Sequence, residues 1–314
     1  MANKYIYGPV PSRRLGLSLG VDIIPYKNCS YDCIYCQLGR TTNKTIMRKE
    51  YAPAEEILRE TKRYFKNIKS VDYITFSGSG EPTLHSKIGY LIKEIKKITK
   101  IPITVLTNGS LLSMPEVRHE LAEADIVLPT LCSVNQDFFQ KIHRPHREIS
   151  LESTIRAFID FRKMYTGKIW LEIMLVKGIN DSKSQIMKLI TAVEEINPDK
   201  IQLNTVIRPP SERYALALSA KELEEIRKLF GQNCETVTSF KEKKDIASII
   251  DNRKKILDVI RRRPVSLNDI SNITGLHENE ILKYLDHLRK EKKVELNEHH
   301  GINYYEATSE GQND

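Results

Sequence analysis

The stretch Cys29-Ser30-Tyr31-Asp32-Cys33-Ile34-Tyr35-Cys36 sets three thiols at Cys-x3-Cys-x2-Cys spacing, with an aromatic residue just before the last. A run this polar and turn-prone does not belong in a packed strand, so the thiols read as one face of a metal site. Three thiolates with no fourth ligand nearby suit a [4Fe–4S] cluster that leaves one iron open. A structural zinc site is the alternative. It wants a fourth ligand, usually from a second pair, and no Cys-x-x-Cys or His-x3–5-His pair follows at finger spacing. A disulfide is disfavoured: Met1-Ala2-Asn3-Lys4 does not read as a signal peptide, so a reducing, cytoplasmic setting is expected. Of the five cysteines only Cys132 and Cys234 remain, too few to hold a second cluster, and a single cluster is expected. Cys132 reads as inert packing.

Other chemistry-bearing residues fall where apolar runs end. Ser77-Gly78-Ser79-Gly80-Glu81-Pro82-Thr83 has glycines that permit close backbone approach and a proline that limits the turn. On its own it would compete with a phosphate loop. Thr107-Asn108-Gly109 offers an amide, or simply a turn. Near the start, Tyr7 to Gly16 is rich in turn residues and carries Arg13 and Arg14, which could contact a phosphate or carboxylate beside the cysteine loop. Arg208 precedes Pro209-Pro210 at the end of the last apolar run and is a further candidate substrate contact. The basic cluster Ile142-His143-Arg144-Pro145-His146-Arg147 reads as a solvated loop rather than an anion site.

The elements that position these residues alternate. Short apolar β-prone runs cover 17–24, 71–76, 103–106, 126–131, 169–176 and 201–203. Helical spacing covers 54–65, 88–98, 115–124, 151–164 and 182–196. Six strands alternating with helices predict an α/β fold built on a parallel sheet with right-handed crossovers. Six units fall short of the eight of a closed barrel, and spacing alone leaves an open doubly wound sheet in play. Either fold puts its chemistry at the carboxyl ends of the strands.

The 314 residues have room for one large and one small unit. The expected division is a core over 1–215, a bridging helix and strand over 216–250, a second unit over 251–308 and a tail over 309–314. That second unit reads as a helix, a helix-turn-helix and a hairpin, which resembles a winged helix-turn-helix domain. Such a domain usually reads DNA. Here Glu278 and Glu280 open the third helix, and from residue 251 onward 11 Lys and Arg face 12 Asp and Glu. Protein or substrate docking is therefore favoured, with Lys292 and Lys293 keeping nucleic-acid contact open. Residues 1–250 carry 38 basic against 29 acidic residues, giving +9. That surface suits an acidic partner such as RNA, a phosphorylated substrate or an acidic electron carrier, or is ordinary lysine-rich solubility. No apolar run approaches the ~18 residues of a membrane span, so no membrane partner is expected.

The cysteine loop followed one strand later by Gly80-Glu81-Pro82 resembles the signature of the radical S-adenosylmethionine (SAM) superfamily, over roughly residues 9–210. Ser79 stands where that family usually has its first glycine. The opening Gly-Pro-Val-Pro-Ser-Arg-Arg-Leu-Gly through Tyr-Cys-Gln-Leu-Gly looks like a subgroup of Fe–S oxidoreductases often grouped with tRNA wyosine synthases. Those synthases carry a second cysteine set that this chain lacks, so the wyosine activity is not carried over. The resemblance implies a partial (β/α)6 TIM-like barrel, with Cys29, Cys33 and Cys36 as cluster ligands. It implies that Tyr35, Gly78, Gly80, Glu81, Asn108, Ser133 and Asn135 line the SAM site. It also implies a one-electron donor of the flavodoxin or ferredoxin type. The expected activity is reductive cleavage of SAM to a 5′-deoxyadenosyl radical that abstracts hydrogen from a substrate. The alternatives are an RNA- or peptide-modifying enzyme whose C-terminal unit delivers the macromolecule, and an Fe–S or SAM-sensing DNA-binding regulator without turnover.

Overall fold

The computed structural model describes residues 4–12, 14–67, 71–207, 210–237, 252–274, 281, 284–285, 288–289, 291–299 and 302–312. Its main sheet holds eight strands: β1 (Ile6–Ser12), β2 (Gly16–Val21), β5 (Tyr73–Phe76), β6 (Ile103–Thr107), β7 (Ile126–Leu131), β8 (Lys168–Leu175), β9 (Lys200–Thr205) and β10 (Cys234–Thr236). Two short strands outside it, β3 (Asn28–Cys29) and β4 (Asn43–Lys44), pair in parallel and anchor the start of the cysteine loop. The spatial order of the main sheet is the sequence order, and every neighbouring pair from β2 to β10 is parallel. The order never reverses. With crossovers of one hand, this keeps the connecting helices on one face and leaves the other face free to border a cavity.

Side-chain alternation along the strands divides the two faces. Leu19, Ile74, Phe76, Val105, Leu171, Ile173 and Leu203 are buried against the helices. Ser18, Thr75, Thr130, Glu172 and Asn204 point the other way and line the cavity. The helices are α1 (Ala54–Asn67), α2 (Ile88–Ile98), α3 (Pro115–Leu121), α4 (Gln136–His143), α5 (Leu151–Met164), α6 (Lys183–Ile196) and α7 (Ala220–Phe230). Their starts follow local chemistry. Asn135, Ser150 and Ser182 accept backbone N–H bonds as N-caps, and Ser219 with Glu222 forms a capping box.

One expectation changes. Residues 6–12, expected to be turns, form β1, which runs antiparallel to β2 with an irregular register between Tyr7 and Val10. Pro9 and Pro11 are tolerated there because the strand lies at the sheet edge. The helix and strand expected over 216–250 are α7 and β10, with the strand at Cys234–Thr236. β10 pairs with β9 and adds one more parallel strand, and residues 238–250 lie outside the described residues.

The C-terminal unit contains α8 (Asn252–Arg262), β11 (Val265–Ser266), α9 (Leu267–Thr274) and an antiparallel pair, β12 (Val294–His299) with β13 (Ile302–Ala307), while β11 pairs with β13. Positions 281, 284, 285, 288 and 289 are helical; much of the expected third helix, and the turn at 275–280, lie outside the described residues. The unit has its own apolar core of Ile256, Ile260, Ile270, Ile281, Leu285 and Leu288. It docks beside β1. The Arg262 guanidinium pairs with the Asp22 carboxylate and lies 4.3 Å from the Tyr7 ring centroid. Tyr304 Oη donates to the Ile207 carbonyl at 3.1 Å. No described helix is long and apolar enough to cross a membrane.

Candidate active site

The cysteine loop is held by the end of α4. The Asp32 and Ile34 N–H groups donate to the carbonyls of His143 and Ile142, each at 2.9 Å, using acceptors that a helix end leaves free. Tyr31 is buried edge-on to Phe139 and tilted over the His143 ring, and Ile34 is buried beside Cys132, Ile142 and Met174. Arg144 adopts a left-handed conformation that ends the helix and pairs with Glu212 at 2.7 Å. The 142–147 stretch is therefore structural where it meets the loop, not a solvated basic loop: Ile142 and His143 are fully buried.

Each of the three sulfurs has one side-chain nitrogen beside it. Asn108 Nδ2 lies 3.5 Å from Cys29 Sγ, and Lys27 Nζ lies 3.4 Å from Cys36 Sγ. His143 Nδ1 lies 3.2 Å from Cys33 Sγ. Lys27 also donates to the Gly39 carbonyl, which fixes its stem. Burial pushes the Cys29 thiol up to about 12 and Cys33 upward as well, while burial pushes His143 down to about 3. The imidazole is thus neutral, and a metal must displace protons from at least two of the thiols. Among the described residues no three His, Cys, Asp or Glu side chains converge on a single-ion site; the thiols instead border a shared space.

That space is a cavity of about 360 Å³, lined by Cys29, Cys33, Cys36 and Tyr35 and by Gly78, Gly80, Glu81 and Asn108. The loop after β5 comes this close because of its glycines. A Cβ on Gly80 would overlap the Asn28 carbonyl oxygen, and one on Gly78 would overlap the Asp22 carboxylate. The Glu81 carboxylate accepts bonds from Thr83 N and Oγ1, Thr107 Oγ1 and Asn108 N at 2.6–3.1 Å. Burial raises its pKa against the pull of those bonds. It braces the loops after β5 and β6 to one another, and Asn108 then reaches Ser30 Oγ at 2.8 Å.

Arg14 lines the same cavity, whereas Arg13 and Arg208 lie outside the described residues. Ser133 and Asn135 do not line it. Ser133 Oγ accepts the Asn135 N–H at 3.0 Å, and Asn135 Oδ1 caps α4, so both serve the helix that carries His143. Cys132 is fully buried in packing, as expected. Three positions beside the thiols or the cavity were not read from the sequence as site residues: Lys27, His143 and Glu172. Glu172 pairs with Arg14 and accepts from Thr130 Oγ1 at 2.8 Å and Asn204 Nδ2 at 2.7 Å. Burial alone would raise its pKa; the Arg14 charge and these bonds outweigh burial and lower it.

Comparison with known proteins places this arrangement. The family model of the radical SAM superfamily matches residues 23–190. A protein of Brachyspira hyodysenteriae named GTPase Obg is 41% identical over 303 residues, covering 94% of this chain; the chain spans only 44% of that relative's length. A UPF0026 protein of Helicobacter pylori is 31% identical over 307 residues, 96% of each chain. Streptococcus suis SuiB, in a crystal structure bound to S-adenosylmethionine, superposes with a TM-score of 0.54 at 17% identity, covering 69% of this chain and 50% of that one, a likeness of fold.

Proposed function

This chain belongs to the radical SAM superfamily and is an enzyme, and we propose that Cys29, Cys33 and Cys36 hold its [4Fe–4S] cluster, with the fourth iron left to SAM. The superfamily's cofactors are that cluster and SAM, and SAM-bound structures are among its structural neighbours. When bound, the two supply a one-electron cleavage of the sulfonium S–C5′ bond, releasing methionine and a 5′-deoxyadenosyl radical that takes a hydrogen atom from the substrate.

The observation that carries this reading is the set of three thiols, each with its own side-chain nitrogen beside it, facing one cavity together with the loop of Gly80 and Glu81. Asn108, His143 and Lys27 orient the sulfurs and stabilise thiolate charge. Gly78 and Gly80 let this loop close against Asp22 and Asn28, which brings its backbone to the SAM side of the cavity. Ser133 and Asn135 act at one remove, through α4, rather than by touching SAM.

We read the sequentially ordered sheet as the partial (β/α)6 barrel, flanked by β1 and β10, with the core running through β10. We read residues 252–312 as a winged helix-turn-helix unit that serves this site rather than DNA. The electron comes from a flavodoxin- or ferredoxin-like donor on the basic core surface.

The test is anaerobic cluster reconstitution followed by iron and sulfide analysis and EPR of the reduced protein with and without SAM. About four irons per chain and a signal that changes with SAM are expected, both lost in Cys33→Ala. A Cys33→Ala protein that keeps a SAM-responsive cluster, or a wild type that takes up one zinc instead, would overturn the assignment.

A further inference from the structure

The cavity that holds the cysteines is also walled by the C-terminal unit. Arg262 and Arg263, at the end of α8, line it together with Arg14 from the β1–β2 turn. Two of these guanidinium groups are compensated, Arg14 by Glu172 and Arg262 by Asp22. Arg263 is not: among the described residues its side chain has no hydrogen-bond or ion-pair partner. Burial lowers its pKa, and the nearby Arg14 charge lowers it further, against opposing pulls from Tyr7 and Asp269. A positive charge in a confined space next to a second one is a cost that a bound anion removes.

Two buried polar atoms in the same place also lack partners. They are Arg14 Nε, a donor, and Asn204 Oδ1, an acceptor. The orientation of the Asn204 amide follows from chemistry, because its other end must donate to the Glu172 carboxylate at 2.7 Å. Buried polar atoms left unmade in a folded protein call for a water or ligand.

We propose that Arg14, Asn204 and Arg263 form an oxyanion-recognition site inside the active-site cavity, and that the substrate is a small molecule bearing a carboxylate or phosphate. This deepens the function proposed above and rests on it. Arg263 and Arg14 bind the oxygens, and Asn204 Oδ1 takes a hydroxyl or water beside them. Size follows from the wall: the Arg262–Asp22 pair and the Tyr304–Ile207 bond fasten the C-terminal unit to the core. That unit narrows the way to the thiols, which suits a small substrate. The unit is thereby part of the substrate pocket, and Arg263 determines specificity.

The experiment uses the full reconstituted chain with SAM, titrated calorimetrically with inorganic phosphate and, separately, with succinate at constant ionic strength. At least one should bind saturably. Arg263→Gln should weaken that binding by about tenfold or more, and Arg263→Lys should recover part of it. The ligand-free melting temperature of Arg263→Gln should be no lower than the wild-type value, because the variant removes an uncompensated charge, and this separates lost binding from lost folding. Absence of saturable binding of either probe, or equal binding by Arg263→Gln, overturns the proposal. EPR separates the sources of the oxyanion. If Arg263→Gln loses the SAM-induced change along with anion binding, the arginine serves the SAM carboxylate and the substrate assignment falls. If anion binding depends on Arg263 while the wild-type cluster ignores SAM, the anion site stands and the cysteine assignment fails instead.

Discussion

At the scale of single residues, the donors beside the thiols make the most specific claim. Lys27 brings both an N–H and a positive charge to Cys36 Sγ, and each stabilises the more negative, reduced state of a bound cluster. Lys27→Met should therefore lower the cluster midpoint potential, on the order of 59 mV for a tenfold change in a one-electron equilibrium. An EPR-monitored redox titration measures this, and an unchanged potential would leave Lys27 with only its bond to Gly39. The buried Arg14–Glu172 pair gives a second prediction. Glu172→Ala strands the Arg14 charge and should cost about 3 kcal/mol in urea unfolding without added phosphate. The Arg14→Ala/Glu172→Ala double variant should recover much of it, the coupling expected of contacting charges. The thiols were legible in the sequence because their spacing is local. His143 was not, since it sits 110 positions from Cys33 and only the docking of α4 on the loop makes them neighbours; Lys27 is local, but only the fold of the loop back to Gly39 turns its amine toward Cys36. Ser133 and Asn135 misled for the opposite reason: a polar pair after a strand can cap the next helix as readily as face a ligand.

The elements were legible where periodicity is strong. Strand β7 and helices α2 and α5 fall on the expected ranges, because alternating or 3.6-residue apolar patterns fix them. β1 escaped notice because Gly8, Pro9 and Pro11 are turn signals, and only an edge position, with one side unpaired, accommodates them. The loop after β5 illustrates how an element serves the site. Its short helical turn over Pro82–Leu84 is capped by Glu81 and followed by His85. His85 Nε2 donates to the Ala52 carbonyl at 2.8 Å, and Nδ1 accepts the Lys87 N–H at 3.1 Å, an arrangement for the neutral ring. Burial lowers its pKa below 6.5. The unfolded chain then takes up this proton at higher pH than the folded one. The stabilisation is complete above 6.5 and is lost as pH falls below it. Between about pH 7 and pH 5 the melting temperature of the wild type should drop more than that of His85→Gln. Parallel curves would show that His85 stays neutral in both states or is protonated in both.

For the whole molecule, charge and architecture point the same way. The surplus of +9 lies in residues 1–250, while the rest of the chain is near neutral. Reduction by an acidic flavodoxin-type donor should therefore slow as salt rises, since at 0.1 M the screening length is only about 10 Å. Stopped-flow rates independent of ionic strength would remove the basic surface from electron delivery. A core and a C-terminal unit were expected from two apolar-patterned regions with a charged stretch between them, and that pattern was legible in the sequence. Their joint walling of the cavity was not, because Arg262 meets Asp22 across 240 positions and no local pattern encodes that meeting. The central claim is that these parts serve radical SAM chemistry at Cys29, Cys33 and Cys36. The most direct measurement is anaerobic formation of 5′-deoxyadenosine by the reconstituted chain with SAM and dithionite, beside Cys33→Ala. The account predicts product from the wild type and none from the variant. Equal product from both, or a wild type with an intact cluster that leaves SAM uncleaved, would contradict it.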